Sequence, residues 1–533
     1  MSETAPRRPG PQAARGPLLR RRDVLALGAL AAGGPAIATG GPALAQGSPR
    51  MQVVQALLGE GQRFDPAAVV EIARTLAKRP YTPLPNDLPD PLGALTYEQY
   101  VAIRALPERF VWAGEGRGFV VEPLHRGSVF AAPVTLYIVE DGTVRRVAYD
   151  RGRFDLGRIA LPANVGDIGF SGFRLHASFG EGPPSEVAIV QGASFFRAIA
   201  RGQNFGAVAR GLTLRPADPK GEEFPFFRAF WLERPLAGSN ALVVHALIDS
   251  ESVSGAVRMT FRPGDMTIVD VETTLFPRVA LEHVGIAGMA SAYLFGPHDR
   301  RTIDDIRPAV HRSSGLRMHN GHGEWLWRPL RNPGTLQISA FVDPAPRGFG
   351  LMQRDRNYAT FQDDEQRFER RPSLWIEPIG EWGPGAVQLI EIPSDSEVND
   401  NILAYWRPRA AMPAGSEVAF AYRQFWCWEA PERPPLALVT GTRTGRGSNP
   451  RWRRFAVDFT GEAFAEPLGP EARAVANANP GNVHSLRVWR YPERKTVRVA
   501  FELEPAGDAA ELRVALEAPG RPLSETWLYR WTP

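Results

Sequence analysis

Proline or glycine interrupts this chain so often, 49 and 52 times in 533 residues, that a helix bundle is disfavoured and short strands joined by turns are favoured. The stretches between the breaks agree. Residues 134–139 and 144–149 flank Glu140-Asp141-Gly142-Thr143, a hairpin signal. Residues 241–248 form another run, and 257–261 meet 266–271 across Arg262-Pro263-Gly264-Asp265. Alternation in Val257-Arg258-Met259-Thr260-Phe261 predicts a sheet with one wet face. Helices are expected only near the start. Asp65-Pro66 has the form of an N-cap and first helical residue, with 67–78 continuing to Arg79-Pro80, and Thr96 with Gln99 matches a capping box for a second helix through Leu106.

After Trp406 the composition changes. Residues 406–416, rich in Arg, Pro and Ala, read as a linker between a first domain at 46–405 and a second at 417–533. In the second, short strands are expected at 417–425, 453–459, 483–489, 496–503, 511–516 and 526–531, which suits an immunoglobulin-like β-sandwich. The first is too long for that and is expected to be a larger β-sandwich with a cleft made by loops. The fold class is therefore all-β.

Arg20-Arg21-Arg22-Asp23-Val24-Leu25, a small apolar run and Ala43-Leu44-Ala45 have the three parts of a secretory signal over 1–45, and the paired arginines resemble a twin-arginine leader. Glycine-proline breaks at 33–35 and 40–42 argue against a membrane span, so an exported, non-spanning protein is expected. The leader holds six arginines and two acids, and the remainder balances at 56 basic and 56 acidic side chains. That balance gives no electrostatic footprint for nucleic acid. The single cysteine, Cys427, excludes an intrachain disulfide and a multi-thiolate metal site.

Chemistry is concentrated between 295 and 408, where Trp, His, Arg and carboxylates crowd together. Aromatic rings beside carboxylates and guanidinia suit a sugar-binding cleft, and paired acids can supply general acid and base. Glu324, Trp325, Trp327, Arg328, Arg354, Asp355, Glu377 and Trp382 are the candidate substrate-binding residues. On a strand Trp325 and Trp327 share a face, with Glu324, Leu326 and Arg328 opposite, so the two rings serve either sugar or core. His311, His319 and His322 with Glu324 have no standard metal-ligand spacing, and no metal or cofactor is expected. Gly445-Arg446-Gly447 lacks the context of a phosphate loop, and 442–448 is read as a lid or surface hairpin.

Phe224-Pro225-Phe226-Phe227-Arg228, Asp305-Ile306-Arg307-Pro308, Gly323-Glu324-Trp325-Leu326-Trp327-Arg328-Pro329-Leu330, Gly350-Leu351-Met352-Gln353-Arg354-Asp355-Arg356, Asp400-Asn401-Ile402 and Glu525-Thr526-Trp527-Leu528-Tyr529 resemble the periplasmic glucan biosynthesis protein G/D family (MdoG, OpgG, OpgD), and the leader is similar to that of the D branch. The resemblance implies a galactose-mutarotase-like β-sandwich followed by an immunoglobulin-like one, and a periplasmic role in making osmoregulated glucans. Its implied ligand is β-1,2-glucan or another periplasmic glucan chain, and its implied partner the inner-membrane glucan synthase. It also implies glycoside hydrolase- or transglycosylase-like chemistry in some members, with Asp400 as general acid. The general base would be the first Asp of a His-Asp-x-Asp-Gly-Leu segment, which here reads His311-Arg312-Ser313-Ser314-Gly315-Leu316. Arg312 and Ser314 replace both acids, and a guanidinium cannot take up a proton near neutrality. Asp304 and Asp305 are the candidate substitute bases. Two readings follow: an enzyme of altered activity that cuts or transfers glucan, and a non-catalytic glucan-binding or scaffolding factor. Aldose-epimerase-like chemistry would rest on fold analogy alone.

Overall fold

Val257, Met259 and Phe261 all enter one apolar core, while Arg258 on the opposite face meets Glu272 on the neighbouring strand at 2.6 Å. Not all of that opposite face is wet. Ala256 is covered together with Trp231, Leu247 and Phe276 by the helices Pro49–Leu58 and Pro66–Ala77. Pro66–Ala77 starts as expected, with the Asp65 carboxylate accepting from the Ala67 N–H at 2.9 Å. The second helix has its capping box but spans only Tyr97–Val101. Strand Arg104–Ala105 and Leu106-Pro107 follow, because a residue preceding proline is biased away from helical backbone.

This computed structural model describes residues 49–533 except 86, 163–164, 181, 301–302, 433 and 466–470, so the expected leader lies outside the described residues. The chain is all-β in plan. A 10-stranded sheet runs from Phe119–Leu124 through Phe195–Ala198, Val208–Arg210, Val284–Ser291 and Ile402–Pro408 to its edge at Gln337–Asp343. A 15-stranded sheet runs through Val253–Arg262, Thr267–Pro277, Ser373–Ile379, Gly348–Met352, Gly315–His319 and Trp325–Pro329. The two sheets enclose one core, in which Phe173 meets Phe230 edge to face at 5.0 Å. No helix among the described residues is long and apolar enough to cross a membrane.

The carboxyl-terminal part is built on the same sheet. Strand Val418–Cys427, placed beyond the linker by composition, pairs with both Thr267–Pro277 and Ser373–Ile379 and so lies inside the large sheet. Pairing, which no local pattern encodes, carries the chain back across 406–416. Farther on, Leu438–Arg446, Arg453–Thr460, Thr496–Glu504 and Asn482–Tyr491 form a four-stranded sheet. It faces Arg473–Asn479, Ala510–Ala518 and Thr526–Trp531, and the last of these joins the large sheet by parallel pairing of Leu326 with Thr526 and Trp327 with Trp527. The segment 442–448 ends the first strand of a hairpin completed by Arg453–Thr460, and Thr444 Oγ1 donates to the His298 carbonyl at 3.1 Å.

Trp325 and Trp327 do share a face, but it faces this junction. Both are buried in the second core with Trp375, Phe425, Cys427 and Trp527, while Leu326 belongs to the first. Burial pushes the Cys427 thiol up to about 12. Arg354 lies over the Trp327 ring at 3.5 Å and grips the fully buried Glu525 with two contacts of 2.5 and 3.0 Å. Glu525 also accepts from the Val439 N–H at 2.6 Å. Arg354→Met should therefore strand a buried carboxylate and lower the urea-unfolding stability by about 3–5 kcal/mol. Adding Glu525→Gln is expected to recover part of that loss, and equal midpoints for the single and double variants would remove the ion pair from this account.

Candidate functional site

Asn401 is the staple on which the site is hung. Its side-chain oxygen accepts from the Tyr293 N–H at 2.9 Å, and its amide donates to the Tyr293 and Ile392 carbonyls at 3.0 Å each. This fixes the 392–401 loop just before strand Ile402–Pro408 and leaves Asp400 half-buried at its end. Opposite it, strand Val310–His311 pairs with Tyr293–Phe295, and the chain turns through Arg312, Ser313 and Ser314 into Gly315–His319. Arg312 thus points back across the turn, and its Nη1 lies 2.7 Å from Asp400 Oδ1. It also donates, at 3.4–3.5 Å, to the carbonyls of Gly206, Glu397 and Asn399.

Arg312 therefore binds Asp400. Burial alone would raise the Asp400 carboxyl, but Arg312, Arg197 and Arg210 outweigh it and hold the group below its usual range. Asp400 is kept as a carboxylate, the wrong form for donating a proton. Arg210 is itself ion-paired to Glu222.

The expected substitute bases are placed differently. Asp305 is gripped by Arg307 at 3.0 and 2.8 Å, and the same guanidinium takes Asp363 and Glu397 at 2.6 Å each. The Arg307 contacts hold Asp305 below the ordinary carboxylate range, so its lone pairs are engaged in a structural clamp. Asp304 is exposed beside that clamp.

Asp355 behaves in the opposite sense. Burial raises its carboxyl, with Arg356 and Arg354 opposing more weakly because both reach elsewhere, Arg356 to the carbonyls of Glu369, Arg371 and Trp428. Its neighbour His311, Nε2 3.7 Å from Asp355 Oδ2, is stacked on Tyr293 at 5.3 Å and edged by Phe361 at 4.9 Å. Burial, with the His298 ring adding, depresses His311 to about 3, so this contact is made by a neutral imidazole.

Most of the other expected binding residues lie elsewhere. Arg328 is buried against Glu391 at 3.1 Å, and Arg354 is committed to Glu525. Trp325 is sandwiched between His319, 4.0 Å away, and the guanidinium of Arg317. Trp382 packs on Phe349, Trp406 and Tyr422. Glu377 accepts from Trp375 Nε1 at 3.1 Å, and burial raises its carboxyl. Glu324 pairs with Arg513 and accepts from Thr526 Oγ1 at 2.8 Å, lining a groove of about 790 Å³ between the 322–325 turn and the carboxyl-terminal strands. No group of three or more metal-ligating side chains occurs among the described residues.

Sequence reasoning missed Arg197 and Arg210, and gave Arg307, Arg371 and Asn401 no role in the site. A signal existed for both missed residues. Arg197 in Ser194-Phe195-Phe196-Arg197-Ala198 and Arg210 in Ala209-Arg210-Gly211 interrupt apolar strands, and a guanidinium carried into a sheet needs an assigned partner.

Comparison with known proteins gives a consistent answer. A family model described as "Periplasmic glucan biosynthesis protein, MdoG" matches residues 64–531. Glucans biosynthesis protein G of Rhodopseudomonas palustris (strain BisA53) is 46% identical over 470 residues, covering 88% of this chain and 93% of the relative. Its namesake in Shewanella sp. (strain W3-18-1) is 48% identical over 478 residues, covering 88% and 87%. Glucans biosynthesis protein G 1 of Shewanella oneidensis is 47% identical over the same length.

The neutral, buried His311 has a consequence for acid stability. Its folded-state value of about 3 lies below the ordinary 6.5, so the unfolded chain takes up a proton that the folded chain refuses. This contribution is fully present above pH 6.5 and is lost as pH falls toward 3. Urea midpoints at pH 6.5 and 4.5 should show His311→Gln losing less stability than the parent over this interval, by about 2 kcal/mol. Equal losses would mean that His311 is protonated in the folded state.

Proposed function

We propose that this chain, which belongs to the periplasmic glucan biosynthesis protein MdoG family, works in the periplasm in the synthesis of osmoregulated glucans. In this reading it holds β-1,2-glucan backbone chains in the cleft beside Asp400, receiving them from the inner-membrane glucan synthase. The observation that carries it is the Arg312–Asp400 ion pair of 2.7 Å. A general acid must carry a proton when the glycosidic oxygen arrives, and a general base must accept one from the attacking hydroxyl. Arg312 keeps Asp400 anionic and itself stands at the position where the family resemblance expects the base. Binding groups remain: Asp400, Asn399 and the backbone carbonyls around Arg312 are hydroxyl partners. The resting protein is therefore a glucan-handling factor with restrained chemistry.

The second reading, cutting or transfer of chains, is favoured by Asp355, whose carboxyl is raised above its ordinary value beside the neutral His311. Both readings are tested by incubating the purified protein with linear β-1,2-glucan, following binding by calorimetry and products by mass spectrometry. The parent should bind without forming shorter, cyclised or transferred chains. Arg312→Asp frees Asp400 and restores a base, and is expected to raise product formation by roughly 10²–10⁴-fold. Asp400→Asn in that background should abolish it. Abundant product from the parent, lost in Asp400→Asn alone, would establish the enzyme reading instead.

A further inference from the structure

Arg312 pairs with Asp400 and has further guanidinia in its electrostatic neighbourhood. Arg197 lies on strand Phe195–Ala198, and Arg371 follows the short turn Phe368–Arg370. Arg371 donates to the Phe205 carbonyl and Arg312 to that of Gly206, so these two charges meet at consecutive residues of one loop. Arg197 interacts electrostatically with Asp400 and Arg312, and Arg371 with Arg312 and Arg197. Burial and those two neighbouring charges depress Arg371 to about 10.

The carboxylates next to this group are engaged. Asp305, Asp363 and Glu397 converge on Arg307, and Glu369 pairs with Arg367. Among the described residues only Arg312 of the three has a carboxylate at ion-pairing distance. Arg371 also donates through Nη2 to Gln366 Oε1 at 2.9 Å, and only its Nε is buried with no hydrogen-bond partner. Like charges crowded out of water repel one another, and they are at rest only when an anion joins them. A neutral pyranose offers hydroxyls, which Asp400 and the carbonyls serve. Guanidinium forks match the paired oxygens of a carboxylate or phosphate.

We propose that Arg197, Arg312 and Arg371 beside Asp400 form a site for an anionic group, a carboxylate or phosphate carried on the glucan chain that this cleft handles. The proposal rests on the glucan reading of the same cleft and adds the charge of the ligand. The anion meets Arg197 and Arg371 directly and shares Arg312 with Asp400. A chain bearing such a group is retained where an unmodified one slides past.

The test compares three probes by calorimetry at low salt. They are linear β-1,2-gluco-oligosaccharide, the same oligosaccharide with its C6 hydroxyls oxidised to carboxylates, and inorganic phosphate. The oxidised chain should bind about tenfold or more tightly than the neutral one, and the advantage should shrink as salt is raised. Arg197→Gln and Arg371→Gln, with thermal unfolding monitored to confirm folding, should each reduce the advantage, whereas Arg312→Lys should retain most of it. Equal binding of neutral and oxidised chains overturns the anionic site and leaves the glucan reading standing. Failure of both chains to bind a folded protein overturns the two together. An advantage untouched by Arg197→Gln and Arg371→Gln places the anion elsewhere and overturns this assignment. Phosphate binding as tightly as the oxidised chain supports the site but makes a free anion its ligand.

Discussion

A guanidinium that leaves water must find a partner, and this constraint organises the molecule from its junction to its cleft. Of 62 basic residues only Lys78, Lys220 and Lys495 are lysines, so nearly all ion pairing is done by the planar fork of arginine. Arg354 with Glu525 ties the large sheet to the carboxyl-terminal strands, and Arg328 with Glu391 links the two layers of the sandwich. Arg307 gathers three carboxylates from separate stretches of chain, Asp305, Asp363 and Glu397. Each pair is costly to break because a lone buried charge remains, and each therefore fixes where its loop lies.

The Asp400 neighbourhood follows the same rule with a different outcome. Glu397 reaches Arg307 through its carboxylate, while its carbonyl faces Arg312 at 3.4 Å. The 397–400 loop thus has an acid-rich clamp on one side and the Arg312 guanidinium on the other. At position 312 an arginine pairs with Asp400 and holds it as an anion.

Periodicity and breakers made the all-β character and many individual strands legible, because a strand's alternation is written locally in its own residues. The helix at Pro66–Ala77 was legible for the same reason, its cap and its apolar stripe being neighbours in sequence. The even spacing of Trp325 and Trp327 announced a shared face, but which surface that face meets depends on Thr526–Trp531, some 200 residues away. Rings and charges that looked like cleft residues turned out to bridge two cores. Asp305 read as a candidate base, and only the fold brings Asp363 and Glu397 to the same Arg307 that grips it.

By itself the sequence determined the sheet-forming pattern, the early capped helix and the exclusion of an intrachain disulfide by the single Cys427. Only the tertiary structure decided that strand Val418–Cys427 returns to the large sheet, that Trp325, Trp327 and Arg354 serve the junction, and that Arg312 pairs with Asp400. The physical reason is range. Alternation and capping act between residues a few positions apart, whereas strand pairing and charge pairing join residues brought together only when the whole chain closes on its cores.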